Sequence, residues 1–492
     1  MAVVAFGVFV AADDLMVVAT MLRPMIDDFG LVVPDDLGDA AWIVNVYLIA
    51  YIGVMPLAGR LSDIAGRRVV FVGALAVFLI GSLIVPAADS LSVLLVGRAL
   101  TAIGGGALVP VAFAVAGDLH TGARRARAMG LLAAIETVGW VWGPLYGAIL
   151  VRFLSWQWQF YLNVPLALFG MVVGWRALAP TGRAGRHVDW LGIAAMTTGL
   201  VALNVALLSE AKIQTVTGLD ELTGSSGDDL TGPWLYALAA GALALFAWNE
   251  RRVDEPILST RLVGERSVAA AVGVNGLVGV GLVIALINVP LFVNIVEGGV
   301  EESAVRSGWL LSALTVTMAI TSYVGGVATG RMGYRSTTVV GLFLGAVGLG
   351  LMGAMWAPDT SALWMAAVLV LVGAGIGLVL APTSTAVVDA AADDERGTAA
   401  GLVIVSRLIG FSVGLAALTA WGVRRYDTKR AEVELPPITD AGYADAVVEA
   451  TVDVSTSALA ETFIGAASAL LLAVAVASLL GRRPATRPVA RS

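Results

Sequence analysis

Gly59-Arg60-Leu61-Ser62-Asp63-Ile64-Ala65-Gly66-Arg67-Arg68 is a basic turn set between two apolar runs, at about residues 42 to 59 and 69 to 88, each long enough to cross a membrane. Such a turn needs glycines where the backbone bends tightly, arginines that hold it on the cytoplasmic side, and an aspartate placed to pair with them or to meet a helix N-terminus. Outward from it, further apolar runs recur at about 2 to 22, 92 to 117, 126 to 151, 158 to 178, 188 to 208, 232 to 248, 267 to 295, 305 to 330, 337 to 356, 363 to 388, 398 to 424 and 457 to 480. A spanning helix needs roughly 20 apolar residues, so fourteen helices are predicted. The composition agrees, because 58% hydrophobic and 14% charged residues over 492 positions carry more apolar surface than a soluble core absorbs. The many Gly and Ala residues suit close helix packing in lipid, and the alternating ten-residue strands of a membrane barrel are missing.

With the N-terminus in the cytosol, Arg67-Arg68, Arg124-Arg125-Arg127, Arg183 with Arg186, Arg251-Arg252 and Arg482-Arg483 all fall inside. The first external loop then carries Asp27, Asp28, Asp35, Asp36 and Asp39. Both termini are therefore expected in the cytosol. The net charge of -7 reads as an acidic outer face and gives no footprint for nucleic acid. With no Cys in the chain, disulfides, thiolate metal sites and cysteine nucleophiles are excluded. The apolar run begins at Met1 without a basic leader or cleavage site, which reads as a retained first helix or a trimmed start.

The turn is echoed by Gly326-Val327-Ala328-Thr329-Gly330-Arg331-Met332-Gly333-Tyr334-Arg335, where Gly333 matches Gly66, Arg335 matches Arg68, and the aspartate has become Gly330. A second echo pairs Gly104-Gly105-Gly106, Pro110, Arg125 and Gly130 with Gly373, Pro382, Arg396 and Gly401. The simplest account is an all-α membrane protein of two six-helix bundles in parallel repeat (1–180 and 263–492) with a two-helix insertion (181–262). Thr217 to Gly232, rich in Gly, Ser and Asp, reads as a flexible external loop. The external stretch near 425–461 turns helix-compatible after Pro436-Pro437. A helix from about Asp440 to Leu480 would run roughly 60 Å, about twice the hydrocarbon thickness; a plain loop is the alternative.

These residues resemble the major facilitator superfamily, and within it the fourteen-helix drug:proton antiporter family. Besides the turn, the resemblance rests on Trp42 to Pro56 (WIVNVYLIAYIGVMP), the segment around Arg98, Gly139-x-x-x-Gly143-Pro144-x-x-Gly147, Trp156 to Pro165 (WQWQFYLNVP) and Gly401 to Gly414. In that family the glycine-proline motif at Gly139, Gly143, Pro144 and Gly147 marks antiporters; its usual closing Gly is Ala148 here. A closer similarity is to the mycobacterial branch that exports triacylglycerides and contributes to multidrug tolerance. It rests on an Asp in the first helix with Arg23, on Glu136 ahead of Gly143-Pro144-Leu145-Tyr146-Gly147, and on Leu418-Thr419-Ala420-Trp421-Gly422. The resemblance implies a bacterial inner (plasma) membrane location, a monomer, no cofactor beyond a proton gradient, and an external lipid-carrying lipoprotein as partner.

Five ionisable side chains fall inside predicted helices: Asp13, Asp14, Arg98, Glu136 and Arg407. Each costs a few kcal/mol or more at the bilayer centre, which makes each a functional candidate. Asp14 and Glu136 come at similar depth and could face one cavity, binding and releasing a proton in turn. Asp13, about 100° away around the helix, is the weaker candidate. The alternative is permanent pairing with Arg98 or Arg407 that only orients helices. Arg98 reads equally as a modulator of that chemistry or as a fixed bridge, and Arg407 more as a fixed bridge. Gly59, Asp63, Gly66, Arg67 and Arg68 are expected to form a cytoplasmic gate, with a charge latch mainly in the N-terminal half.

Trp140, Trp142, Tyr146, Phe292 and Phe411 suit a hydrophobic or amphiphilic cargo, a lipid or a drug, or else ordinary helix packing. A facilitator importing a polar solute is the nearest rival, disfavoured by the glycine-proline motif. No enzyme is expected, because His120 and His187 sit at loop ends and no metal-binding or nucleophile-base spacing appears. A phosphate-binding G-x-x-x-x-G-K-[ST] loop is absent.

Overall fold

The computed structural model describes residues 1–31, 37–181, 189–210, 233–253, 256–297, 300–433, 436 and 442–481. Asp35, Asp36, Arg183, Arg186, Thr217 to Gly232, Asp440 and Arg482-Arg483 lie outside the described residues, as do the side chains of Asp39, Pro144, Leu418 and Thr419.

Fourteen long helices are found among the described residues. They are α1 (Ala2–Asp28), α2 (Leu37–Ile64), α3 (Arg67–Ile84), α4 (Leu91–Leu119), α5 (Gly122–Phe153), α6 (Gln157–Ala177), α7 (Trp190–Glu210), α8 (Pro233–Glu250), α9 (Arg266–Glu297), α10 (Val300–Met332), α11 (Tyr334–Met355), α12 (Ala362–Ala390), α13 (Arg396–Ala431) and α14 (Tyr443–Ala477). Twelve are each long and apolar enough to cross a membrane, and α1 makes a thirteenth if its arms Ala2–Val18 and Thr20–Asp28, bent by 59°, count as one span. The 18-residue helix α8 falls outside that set, with Trp248, Asn249 and Glu250 at its last positions.

The repeated turn decides how each bundle begins. Gly66 (φ 96°) and Gly333 (φ 86°) both sit in the left-handed region, where a side chain would strain the backbone. Each reverses the chain directly into the next helix, α3 and α11. Helices α1 to α6 pack on one another around Val8, Tyr47, Phe71, Phe78 and Leu108; α9 to α14 do so around Val278, Leu314, Leu349, Val372 and Phe463. The bundles meet along two seams, α2 against α13 and α5 against α10. At the first, a Cβ on Gly59 would lie 2.5 Å from the Gly397 carbonyl oxygen, so only hydrogen fits between the two backbones. The inserted α7 and α8 pack on each other and lie against the first seam, where Thr197 donates to Gly53 O at 3.4 Å and Ser412 donates to Asn204 Oδ1 at 3.3 Å.

At the end away from the arginine clusters, α13 and α14 run to 36 and 35 residues, about 54 and 52 Å at 1.5 Å per residue. Arg425 grips Glu461 through Nε at 2.5 Å and Nη2 at 2.9 Å, and Lys429 donates to Ser457 at 3.0 Å. The helix predicted for this region is described from Tyr443. Its partner continues past the expected end at residue 424 because these polar contacts give Arg425 and Lys429 a helical neighbour to bind.

Candidate functional site

The five membrane-depth charges are all buried, and they sort into two clusters. The first lies inside the N-terminal bundle. Arg98 Nη1 of α4 meets Asp14 Oδ2 of α1 at 3.3 Å, and Asn163 Nδ2 of α6 donates to Asp14 Oδ1 at 3.0 Å. One turn earlier on α6, Gln159 Nε2 donates to Asp13 Oδ2 at 3.1 Å and lies 3.5 Å from Asn163 Oδ1. The 100° step between Asp13 and Asp14 is absorbed by two amides at i and i+4, which share a helix face. The result is a polar chain Asp13, Gln159, Asn163, Asp14, Arg98. The Arg98 guanidinium also lies 4.4 Å over the Tyr47 ring, a cation–π contact. Asp13 Oδ1, Gln159 Oε1 and Arg98 Nε have no hydrogen-bond partner among the described residues, so the chain has free donors and acceptors at both ends.

The second cluster crosses between bundles. Arg407 Nη2 of α13 meets Glu136 Oε1 of α5 at 2.6 Å. Trp140, one turn along from Glu136, lies under Arg407 at 5.6 Å and packs edge-on against Phe411. Tyr51 stacks on Tyr47 with ring centres 5.6 Å apart, extending the aromatic face above Arg98 along α2.

The glycine-proline motif sets the distance between α1 and α5. A Cβ on Gly139 would lie 2.7 Å from Ala12 Cβ and 3.0 Å from Phe9 O, and one on Gly143 would lie 2.9 Å from Val17 N and 3.0 Å from Asp13 O. The glycine stripe therefore presses α5 onto the turn of α1 that carries Asp13 and Asp14, just before the bend of α1.

At the arginine-rich end, Asp63 accepts from Gly397 N at 3.0 Å, Thr398 N at 3.0 Å and Thr398 Oγ1 at 3.1 Å, and pairs with Arg67 Nη1 at 2.5 Å. A residue of α2 thus caps the N-terminus of α13, where free N–H groups and the helix dipole favour a carboxylate. Arg67 and Arg396 converge on Asp118 from opposite bundles, each at 3.0 Å. The second half repeats this arrangement, as Asp389 takes Arg125 from the other bundle and the Tyr334 hydroxyl from its own. The expectation of a latch mainly in the N-terminal half is thereby corrected. Two things differ: Tyr334 stands where Arg67 does, and Gly330 stands where Asp63 would and packs on Ala123.

A further expectation is revised. Arg68 donates to Leu178 O at 2.5 Å and stacks on Trp175, so it ties α3 to the end of α6 and is no part of the seam. Phe292, open in the sequence between cargo contact and ordinary helix packing, is buried against Trp356 in the C-terminal core. Trp142 and Tyr146 stack with ring centres 6.1 Å apart, with Trp142 half exposed. Sequence reasoning passed over Gln159 and Asn163, although two amides four apart in an otherwise apolar helix are a legible signal. It also passed over Asp118 and Asp389, which look like ordinary loop-end charges, and took Arg396 only as a marker of the repeat. Among the described residues no group of three or more His, Asp or Glu could hold a metal ion.

The sequence pattern of the Major Facilitator Superfamily matches residues 4–415. A triacylglyceride transporter of Mycolicibacterium smegmatis is 32% identical, over 95% of this chain and 86% of that one. The multidrug transporter protein MdtP of Bacillus subtilis is 30% identical, over 84% of this chain and 73% of its own. Among solved structures, a human organic anion transporter superposes with a TM-score of 0.63 at 16% identity, covering 97% of this chain and 98% of that one, a likeness of fold.

Proposed function

The chain belongs to the Major Facilitator Superfamily, and from that premise we propose that it is a proton-coupled exporter of hydrophobic or amphiphilic compounds, lipids such as triacylglycerides or drugs, working by alternating access. The observation that carries the proposal is the Glu136–Arg407 pair at 2.6 Å. It joins helices of different bundles, so any motion that parts α5 from α13 breaks it, and a carboxylate left without its cation in a dry site is stabilised by taking a proton. Asp13 and Asp14, one turn of packing away across the glycine stripe, supply a second place for that proton. Asp13 has no cation within its contacts, and its free Oδ1 is where a proton would sit.

Arg67, Arg125 and Arg396 face the cytosol in this reading, so the closed seam at that end presents the site outward. The alternative of drug efflux without lipid export is favoured by the multidrug relative. Lipid export is favoured by the paired outer arms of α13 and α14, which offer an external lipid-carrying lipoprotein a rigid landing surface. Proteoliposomes carrying one labelled triacylglyceride and one cationic dye, compared under the same pH gradient, test the proposal. Gradient-dependent export of the lipid is expected. Export of neither compound, or rates indifferent to the gradient, would refute it.

A further inference from the structure

Beside the first seam, and away from the buried charges, lies an apolar groove of about 480 Å³ lined by Pro56 of α2, Met196 of α7, Leu243 of α8, Leu258 of the α8–α9 connection, Val272 of α9 and Ile409 of α13. Along α13 it reaches from Thr398, which binds Asp63, to Val413, about 22 Å at 1.5 Å per residue. That is roughly the depth of one leaflet with its headgroups. Its walls are almost wholly hydrocarbon, and the two hydroxyls in the lining are already bound, Ser406 to Val272 O and Thr398 to Asp63, so the groove offers water little to bind. A fatty acyl chain from the leaflet at the arginine-rich end matches it in chemistry and reach.

The headgroup level of the groove is built as deliberately as its walls. Both carboxylate oxygens of Glu250 accept from the α8–α9 connection, from Ile257 N at 3.2 Å and Leu258 N at 2.9 Å, and this holds Leu258 against the groove. The same connection carries Arg251, Arg252, Arg261 and Arg266, all exposed, against one exposed acid among its described residues, Glu265. Arg252 folds back over Trp248 at 4.2 Å, placing its charge at the level where Trp marks a membrane interface. Arginines beside an apolar cleft between spanning helices are a recognition arrangement for an anionic lipid headgroup.

We propose that this groove is a binding site for a resident anionic phospholipid, one acyl chain between α2, α8, α9 and α13 and its phosphate on the arginines of the α8–α9 connection. Because the groove straddles the seam between bundles, the lipid bridges α2 to α13 and holds the arginine-rich end shut. The insertion α7–α8 thereby gains a role of its own, as the outer wall of a lipid clamp.

The full chain, released from vesicles of equal phosphatidylglycerol and phosphatidylcholine into native mass spectrometry, tests this directly. Wild type is expected to retain one phospholipid, with phosphatidylglycerol severalfold enriched. Leu243→Trp, which adds bulk from the peripheral α8, should lose it; Leu243→Ala, which removes bulk, should keep it and shows that the position tolerates change. The double substitution Arg251→Gln with Arg252→Gln should retain a lipid without the preference for phosphatidylglycerol. A wild-type protein that retains no phospholipid, or equal retention in Leu243→Trp, overturns the proposal. So does release of the retained lipid when a pH gradient is imposed on the vesicles, since the lipid would then be cargo.

Discussion

The two six-helix bundles share a plan, with the same turn into α3 and α11 and the same carboxylate bridging at Asp118 and Asp389, yet they differ sharply in what they bury. The N-terminal bundle holds Asp13, Asp14, Arg98 and Glu136 at membrane depth, whereas among the described residues the C-terminal bundle buries a single charge there, Arg407. Its other buried polar side chains among the described residues are neutral, such as Asn288, which donates to Thr462 at 2.7 Å. The difference teaches that the repeat supplies the scaffold and the seam, while the buried carboxylates sit in one half and the other half lends a cation. On the proposed export cycle, the N-terminal bundle would change charge and the C-terminal one would stay apolar.

The strongest way to break the comparison is to strip a buried charge of its partner. Arg407→Leu leaves Glu136 unpaired and is expected to cost about 3–5 kcal/mol, read as a fall in thermal midpoint in detergent, with most of it recovered in the double variant Glu136→Gln with Arg407→Leu. Asp14→Asn should cost a similar amount, because Arg98 then loses the one carboxylate it pairs with among the described residues. Asp13→Asn should leave stability within about 1 kcal/mol, since it removes no cation contact, while export under a pH gradient falls. Equal destabilisation by the two Asn variants would place a hidden cation at Asp13 and erase the distinction between them.

Next in size is Gly143→Leu, which drives a side chain into Val17 N and Asp13 O. An overpacking cost of about 1–3 kcal/mol is expected, together with loss of export, because the turn bearing Asp13 and Asp14 is pushed from α5. Removing the helix cap with Asp63→Ala should weaken the closed seam by about 0.5–2 kcal/mol, seen as a wider spin-label distance between α2 and α13 at the arginine-rich end. The counterpart site sharpens the point, because Gly330 packs on Ala123 in the first turn of α5, whose N-cap Thr121 makes no side-chain capping bond, so Gly330→Asp should supply the missing cap and narrow the spin-label distance between α5 and α10. The smallest effect belongs to Arg425→Gln at the partly exposed pair with Glu461, a barely measurable fall in thermal midpoint.

Much of the fold was legible because lipid imposes local rules. Apolar runs of spanning length located the helices, and the turns at Gly66 and Gly333 gave the repeat, since only glycine takes their positive φ. The five buried charges were legible for the same reason, as each is costly in lipid. Their partners were not: Arg407 and Glu136 lie 271 residues apart, and no local pattern states that α13 of one bundle faces α5 of the other. Arg68 sits beside Arg67 and looks equivalent, but one helical step turns it toward Leu178 and away from the seam. Phe292 stayed open between cargo contact and packing because an aromatic residue in a spanning helix reads the same whether it faces a core or a cavity. The length of α13 was underestimated since Arg424 and Arg425 mark a membrane edge in sequence and continue the helix only because α14 rises beside them.

The central claim, that gradient energy enters through carboxylates of the N-terminal bundle, is tested most directly by proton-coupled export in proteoliposomes bearing the combined substitution Asp13→Asn, Asp14→Asn and Glu136→Gln. Proton movement on cargo addition and cargo accumulation against its gradient would be recorded together with the cargo's downhill movement. The account predicts that proton movement and uphill accumulation both vanish while downhill exchange of cargo persists. Uphill export at the wild-type rate in that variant would contradict it.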